Sequence, residues 1–326
     1  MFSMQKLTRK MGLAMLAISA SLALAPIGPA LASAPMAHKA APGFYRIMLG
    51  DFEVTALSDG TVKLPVDKLL KGIKPAAIDR ILAAHFESSP LETSVNAYLV
   101  NTGTRLVLID TGAGNLLGPT LGKVLENLEA SGYRPDQVDE VLITHMHSDH
   151  EGGLVTKGHM TFPNATVWVN KKDADHWLDP DRMANAAKDR KGAFKNAIAS
   201  FKPYIAAGHF KTFTGDQPLV PGIRALPEPG HTPGHTGYLV TSKGHTLLVW
   251  GDIIHVQAVQ FDHPSVTIGF DSVPAQARST RMNVLAKSAS GGYLIAGAHI
   301  AFPGLGHVRK AAQGYTWIPV NYSVPR

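Results

Sequence analysis

The chain has 326 residues, 45% of them hydrophobic and 17% charged. That is ample apolar material for a buried core, and the charge content is too low for a disordered chain. With 15 histidines and no cysteine, disulfide frameworks and thiolate metal sites are excluded, so any metal must be held by histidine and carboxylate.

Residues 1–32 read as an export signal peptide. Lys6, Arg9 and Lys10 make a positive start, and the apolar run Met11–Ala25 is too short for a permanent membrane anchor. Small residues allow cleavage after Ala32 or Ala34; the first is preferred because Pro35 would follow the second. The mature protein is therefore expected to be periplasmic or secreted. Losing three basic residues takes the net charge from +6 to about +3, a weak basis for binding nucleic acid. Residues 33–42 read as a tether, and 43–326 as one domain.

Along that domain, Tyr45–Leu49 and Phe52–Ser58 alternate around Gly50-Asp51 and predict a hairpin. Pro75–Phe86 has helical spacing, with Ile78, Ile81 and Leu82 on one face. The stretch Lys63–Phe86 reads either as a lid over a pocket or as a plain solvated helix. Ala97–Asn101 and Leu106–Asp110 are expected strands, Leu121–Ala130 a helix, and Val141–Thr144 a short buried strand. Thr166–Asn170 follows as a strand, then helices at Lys172–Leu178 and Gly192–Ser200. Gly237–Thr241 and Thr246–Trp250 pair as strands, Pro274–Ser288 is a helix, and Tyr293–Ala296 a last buried strand. Strands followed by helices in both halves predict an α/β protein: two sheets packed together with helices outside.

The chemistry gathers at the ends of strands. After Val141–Thr144 comes His145-Met146-His147-Ser148-Asp149-His150. Residues two apart in an extended segment share a face, so His145 and His147 can reach one metal. Asp149 and His150, a turn later, can reach a second, and Gly152-Gly153 lets the backbone fold closely behind. Three more donors sit at other strand ends: His231 in Gly230-His231-Thr232-Pro233-Gly234-His235, Asp252 after Trp250-Gly251, and His299 after Gly297-Ala298. Five histidines and two aspartates are the nitrogen and oxygen donors that zinc takes.

Through the pattern His145-x-His147-x-Asp149-His150 and the later His231, Asp252 and His299, the chain resembles the metallo-β-lactamase superfamily. Gly43–Lys68, Pro90–Gly114, Gln260–Thr267 and Gly291–His307 resemble the branch of methyl parathion hydrolase and its lactone-hydrolysing relatives. The resemblance implies the αββα sandwich, two divalent metal ions, most simply zinc, and a homodimer. It implies that His145, His147 and His231 hold one ion, that Asp149, His150 and His299 hold the other, and that Asp252 bridges both.

It further implies a hydroxide shared by the metals as nucleophile, with Asp149 available to shuttle a proton and Asp252 fixing the spacing. Lactones and aryl esters are the expected substrates. Phosphotriester hydrolysis at the same site is the alternative, and a non-catalytic metal-binding protein a third reading, disfavoured by the complete donor set. Trp177 and Phe194 are expected in the substrate pocket or in the core. Leu117 belongs to the pocket and replaces an aromatic of the phosphotriester-hydrolysing member. His235 and His255 are expected as outer partners of the ligands, and His307 as an outer or structural residue. His38, His159, His209, His245 and His263 are expected to be solvated.

Overall fold

The computed structural model describes residue 34 and residues 36–324. The signal peptide expected at 1–32 lies outside the described residues. The chain divides into two units, Met1–Ala40 and Ala41–Arg326. In the first, residues 36–40 carry no regular secondary structure. In the second, the main strands form two seven-stranded sheets, each built in chain order.

The first sheet runs β1 (Phe44–Leu49), β2 (Phe52–Leu64), β3 (Leu91–Asn101), β4 (Leu106–Ile109), β5 (Glu140–Leu142), β6 (Thr166–Asn170) and β7 (Phe210–Phe213). Hairpins join β1 to β2 and β3 to β4, the helical segment 65–90 joins β2 to β3, all three pairs are antiparallel, and helical crossovers make β4 to β7 parallel. The second sheet runs β8 (Gln217–Val220), β9 (Ile223–Pro227), β10 (Thr236–Ser242), β11 (His245–Val249), β12 (Leu294–Ala296), β13 (Leu305–Lys310) and β14 (Tyr315–Pro319). Here the β11–β12 pair is parallel, joined through the helix Pro274–Gly291.

Side-chain alternation explains the layering. In β3, Ala97 and Leu99 face a core shared with the helices Val124–Ala130, Lys171–Trp177 and Lys191–Ala206. Tyr98 and Val100, one residue out of step, enter the core between the sheets with Tyr238, Val240, Leu247 and Val249. Leu248 points the other way, to Val284 and Leu285 of the Pro274–Gly291 helix. The result is the expected mixed α/β sandwich: helix, sheet, sheet, helix.

Several expectations change in detail. The helix expected at Leu121–Ala130 begins at Val124. Gly122 takes a φ of +84°, and the Val124 amide donates to the Asp59 carboxylate, a cap delivered from 65 residues away. The strand expected to reach Thr144 ends at Leu142. Lys63–Phe86 is not a plain solvated helix: Lys63 and Leu64 finish β2, and the helix proper is Pro75–Ala84. Val66, Leu70, Ile78 and Leu82 are buried against Val256, Val259, Val266 and Ile268, so the segment packs on the chain that follows Asp252. Strands β7, β8, β9, β13 and β14 carry no earlier expectation. No helix among the described residues is long and apolar enough to cross a membrane.

Candidate metal centre

The site forms where β4, β5, β9, β11 and β12 run out into loops. After β5 the chain leaves the sheet because Asp110, just beyond β4, captures it. The Thr144 amide donates to Asp110 Oδ1 at 2.8 Å and the Thr144 hydroxyl to Oδ2 at 2.9 Å. Asp110 holds a φ of +62°, a strained conformation for a residue with a side chain. Behind the loop, a Cβ at Gly152 or Gly153 would strike the carbonyls of Ala113 or Thr111, so only glycine allows this approach.

All seven expected donors come together. His145, His147, His231 and Asp252 form one cluster and Asp149, His150 and His299 another, each with donor atoms within 4.8 Å of one another. Asp252 lies between them. Its Oδ2 is 3.5 Å from His145 Nε2 and 3.2 Å from His231 Nε2, while its Oδ1 is 3.1 Å from both His150 Nε2 and His299 Nε2. His147 Nδ1 lies 3.0 Å from His145 Nε2 and 3.1 Å from His231 Nε2. Asp149 Oδ2 is 3.4 Å from His299 Nε2 and 3.5 Å from His150 Nε2.

The outer hydrogen bonds fix the ring tautomers, because carboxylates and carbonyls only accept. His150 Nδ1 donates to Asp110 Oδ2 at 2.8 Å, His231 Nδ1 to Asp271 Oδ1 at 2.9 Å, and His299 Nδ1 to the Ser94 carbonyl at 2.9 Å. The Thr144 hydroxyl, committed as donor to Asp110, accepts from His145 Nδ1 at 3.1 Å. The Nε2 atoms therefore present lone pairs to the centre, beside two carboxylates and His147 Nδ1. Buried His150 Nε2 and Asp252 Oδ1 have no hydrogen-bond partner. Lone pairs facing lone pairs in a buried space require cations, and the donor set fits divalent metal ions of the zinc type.

Without metal, protons must serve instead. Burial opposes charging His150, yet Asp252, Asp149 and Asp110 raise it well above the ordinary histidine value. Burial likewise opposes charging His231, but Asp252 and Asp271 raise it to about 9. Burial pushes His145 and His147 well below the ordinary value, with His150 and His231 adding to the effect.

A histidine with a raised folded pKa gives stability that is complete below its unfolded value, about 6.5, and lost as pH rises through the folded value. Metal-free protein is therefore expected to melt at lower temperature at about pH 9 than at about pH 6.5, as His231 gives up its proton. Zinc-loaded protein, its lone pairs occupied, should show a much smaller drop. Thermal melts of both forms check this; metal-free protein equally stable at the two pH values would contradict it.

His235 braces the Asp252 backbone. Its Nδ1 donates to the Glu228 carbonyl at 3.0 Å, so its Nε2 accepts the Asp252 amide at 2.9 Å and fixes that backbone. Burial, then His231, takes its pKa down to about 3, keeping that acceptor free. His255 stands closer than an outer partner needs to: its Nε2 is 3.0 Å from Asp252 Oδ2, and it forms a third donor cluster with Asp252 and His299. His307 is exposed on β13, its Nδ1 3.0 Å from the Tyr293 carbonyl. Of the histidines expected to be solvated, His38, His159 and His245 are exposed, whereas His209 and His263 are half-buried.

The Trp177 ring lies 5.4 Å from that of His147 and belongs to the helix-side core. Phe194 is buried in the same core, its ring 4.8 Å from that of Trp177. Leu117 is 44% exposed on the loop after β4. Among the residues the sequence reading missed, Asp110, Asp271 and Asp173 matter most. Asp173 accepts from the Met146 amide (3.1 Å), the Thr232 hydroxyl (2.8 Å) and the Gly234 amide (2.6 Å), tying the two histidine loops together. Phe270, 39% exposed, brings its ring to 6.2 Å from that of His255. Asp110 had a signal, a carboxylate closing a fully apolar strand; the others come from distant segments.

A family model described as Metallo-beta-lactamase superfamily matches residues 91–299. The chain is similar to the N-acyl homoserine lactonase of Bacillus sp, 27% identical over 212 residues that cover 59% of this chain and 76% of that protein. It is also similar to the N-acyl homoserine lactonase of Bacillus thuringiensis, 26% identical over 60% of this chain and 78% of that one. Among solved structures, the hydrolase AbOPH in the beta lactamase superfamily is 40% identical, with a TM-score of 0.83 over 88% of this chain and 100% of its own. AidC, a dizinc quorum-quenching lactonase solved with a product, is 26% identical, with a TM-score of 0.76 over 86% of this chain and 99% of its own.

Proposed function

The chain belongs to the metallo-beta-lactamase superfamily, and from that membership we propose a hydrolase of lactones and aryl esters that works with two divalent metal ions, most simply zinc. The observation that carries this reading is Asp252, with one carboxylate oxygen facing the His145 and His231 side and the other facing His150 and His299. His145, His147 and His231 hold one ion and Asp149, His150 and His299 the other.

When bound, two such ions would supply Lewis acidity and make a water acidic enough to ionise near neutral pH. The chain's own residues do the rest. Asp252 sets the separation of the two halves, and His235 fixes its backbone. His145, His150, His231, His299 and Asp252 are buried, whereas His147 and Asp149 are half-buried, so the centre opens on their side. Trp177, beside His147, gives that opening an apolar wall. In lactone hydrolysis water adds to the carbonyl, the acyl–oxygen bond breaks, and the leaving oxygen takes up the proton that the water gives. Asp149, the donor carboxylate on the open side, carries that proton. A phenolate leaves with little need of it.

The same donors suit a planar carbonyl or a tetrahedral phosphorus, so the wall decides the substrate. Lactones are placed first because lactonases are among the similar proteins and because Leu117 offers no aromatic face to a bulky aryl phosphate. One apolar contact is worth roughly 1–3 kcal/mol, or about 10–200-fold in kcat/KM. Leu117→Phe is therefore expected to raise phosphotriester turnover relative to lactone turnover. The measurement is kcat/KM for aryl lactones, acyl-homoserine lactones, aryl esters and dialkyl aryl phosphates. A wild-type protein already favouring phosphotriesters by about tenfold would overturn the ranking.

Export belongs to the same proposal, on the charged start, apolar run and small residues of 1–34. Intact mass of the mature protein should correspond to a start at Ser33, and an intact Met1 terminus would overturn it. Assembly as a homodimer is proposed as well; a sedimenting monomer at micromolar concentration would contradict it.

A further inference from the structure

We propose that Arg281 is a positioning residue for one half of the metal centre, setting His231 against Asp252 from the helix Pro274–Gly291. The inference rests on the dinuclear reading above and adds a residue that lies outside the donor set.

Arg281 lies in the middle of the helix Pro274–Gly291 with its side chain 1% exposed. A guanidinium is scarcely ever buried without a reason, because removing its charge from water is costly unless every donor is matched. Here the matches are specific. Its Nε donates to the Ile253 carbonyl at 2.7 Å, and Nη1 to the Val266 carbonyl at 2.7 Å and the Pro264 carbonyl at 3.3 Å. Its Nη2 lies 3.8 Å from Asp271 Oδ2. Ile253 directly follows Asp252. Asp271 Oδ1 in turn accepts from His231 Nδ1, and Asp271 Oδ2 accepts from the Ile268 amide.

One planar group thus holds two arms of the centre. The first arm is the backbone that carries Asp252; the second is the carboxylate that aims His231. Both arms end on the same cluster, since His231 Nε2 and Asp252 Oδ2 stand 3.2 Å apart. His150 and His299 have their own outer partners, Asp110 and the Ser94 carbonyl, and do not depend on Arg281. The arm through Asp271 ends on His231 alone, whereas the arm through Ile253 ends on Asp252, which serves both halves, so disturbing Arg281 weakens the ion held by His145, His147 and His231 more than the other.

Lysine keeps the charge but cannot present the fork. Arg281→Lys is expected to weaken one of two zinc-binding steps by about 10–100-fold, the usual cost of losing an outer partner. The experiment titrates metal-free protein with Zn²⁺ against a chromophoric chelator, with circular dichroism as a check on folding. His231→Ala identifies the affected step. Asp271→Asn should weaken the same step, and the double variant should lose less than the two singles combined, because both share the arm that runs through Asp271 to His231. Equal weakening of both steps, no weakening in a folded variant, or additive losses would overturn the proposal. If Arg281→Lys does not fold, Asp271→Asn decides alone, by whether it weakens one step or both. A wild-type protein that binds only one ion would instead refute the dinuclear reading before Arg281 is tested.

Discussion

Asp252→Ala is expected to abolish turnover, a loss of about 10³-fold or more, because without both ions the attacking water is no longer acidic enough to ionise near neutral pH. Asp252 is 4% exposed, and its two oxygens serve opposite halves of the site. Alanine leaves five imidazoles facing one another with a single carboxylate, Asp149, on one side. Metal content should fall for both ions together. His235→Ala is the contrast. It removes the acceptor that holds the Asp252 amide but no donor to a metal, so a loss of about 10–100-fold is expected. Metal analysis and kcat for the two variants check the ordering. Equal metal content and equal kcat would show that Asp252 does not bridge.

Removing the metals from the unaltered protein should have an effect as large. A strong chelator is expected to reduce turnover to background, and about two equivalents of Zn²⁺ to restore it. Stability should follow, since an ion that binds only the folded state at 1,000 times its Kd adds about 4.1 kcal/mol. The cause is visible in the site: His145, His150, His231 and His299 spend their outer nitrogens on fixed acceptors, leaving the inner ones for a cation. Full turnover restored by one equivalent would reject the two-ion mechanism.

Much of the centre was legible because its chemistry is local. His145, His147, Asp149 and His150 fall within six residues, and His231, Asp252 and His299 each close a short apolar strand or turn. The two-sheet sandwich was legible for the same reason, since the continuous apolar runs in Ala97–Asn101 and Thr246–Trp250 mark strands buried on both faces. What escaped depends on distant partners. The start of the Val124 helix is capped by Asp59, and the turn after Leu142 is imposed by Asp110, neither visible in the neighbouring sequence. Strand β8 carries Pro218, and only Pro221 and Gly222 separate it from β9, so prolines and a glycine obscure the pair. Asp173, Asp271 and Arg281 sit on helices or loops where a charged residue ordinarily means solvent. Only the fold buries them, and only burial turns them into supports for the histidines.

The most direct measurement is anomalous diffraction at the zinc edge from crystals of the zinc-loaded protein. Two peaks roughly 3.5–4 Å apart are expected, the spacing of a two-metal site. One should lie among His145, His147 and His231, the other among Asp149, His150 and His299, with Asp252 between them. A single peak, or a second ion held by His255 in place of Asp149 and His150, would contradict the centre described above.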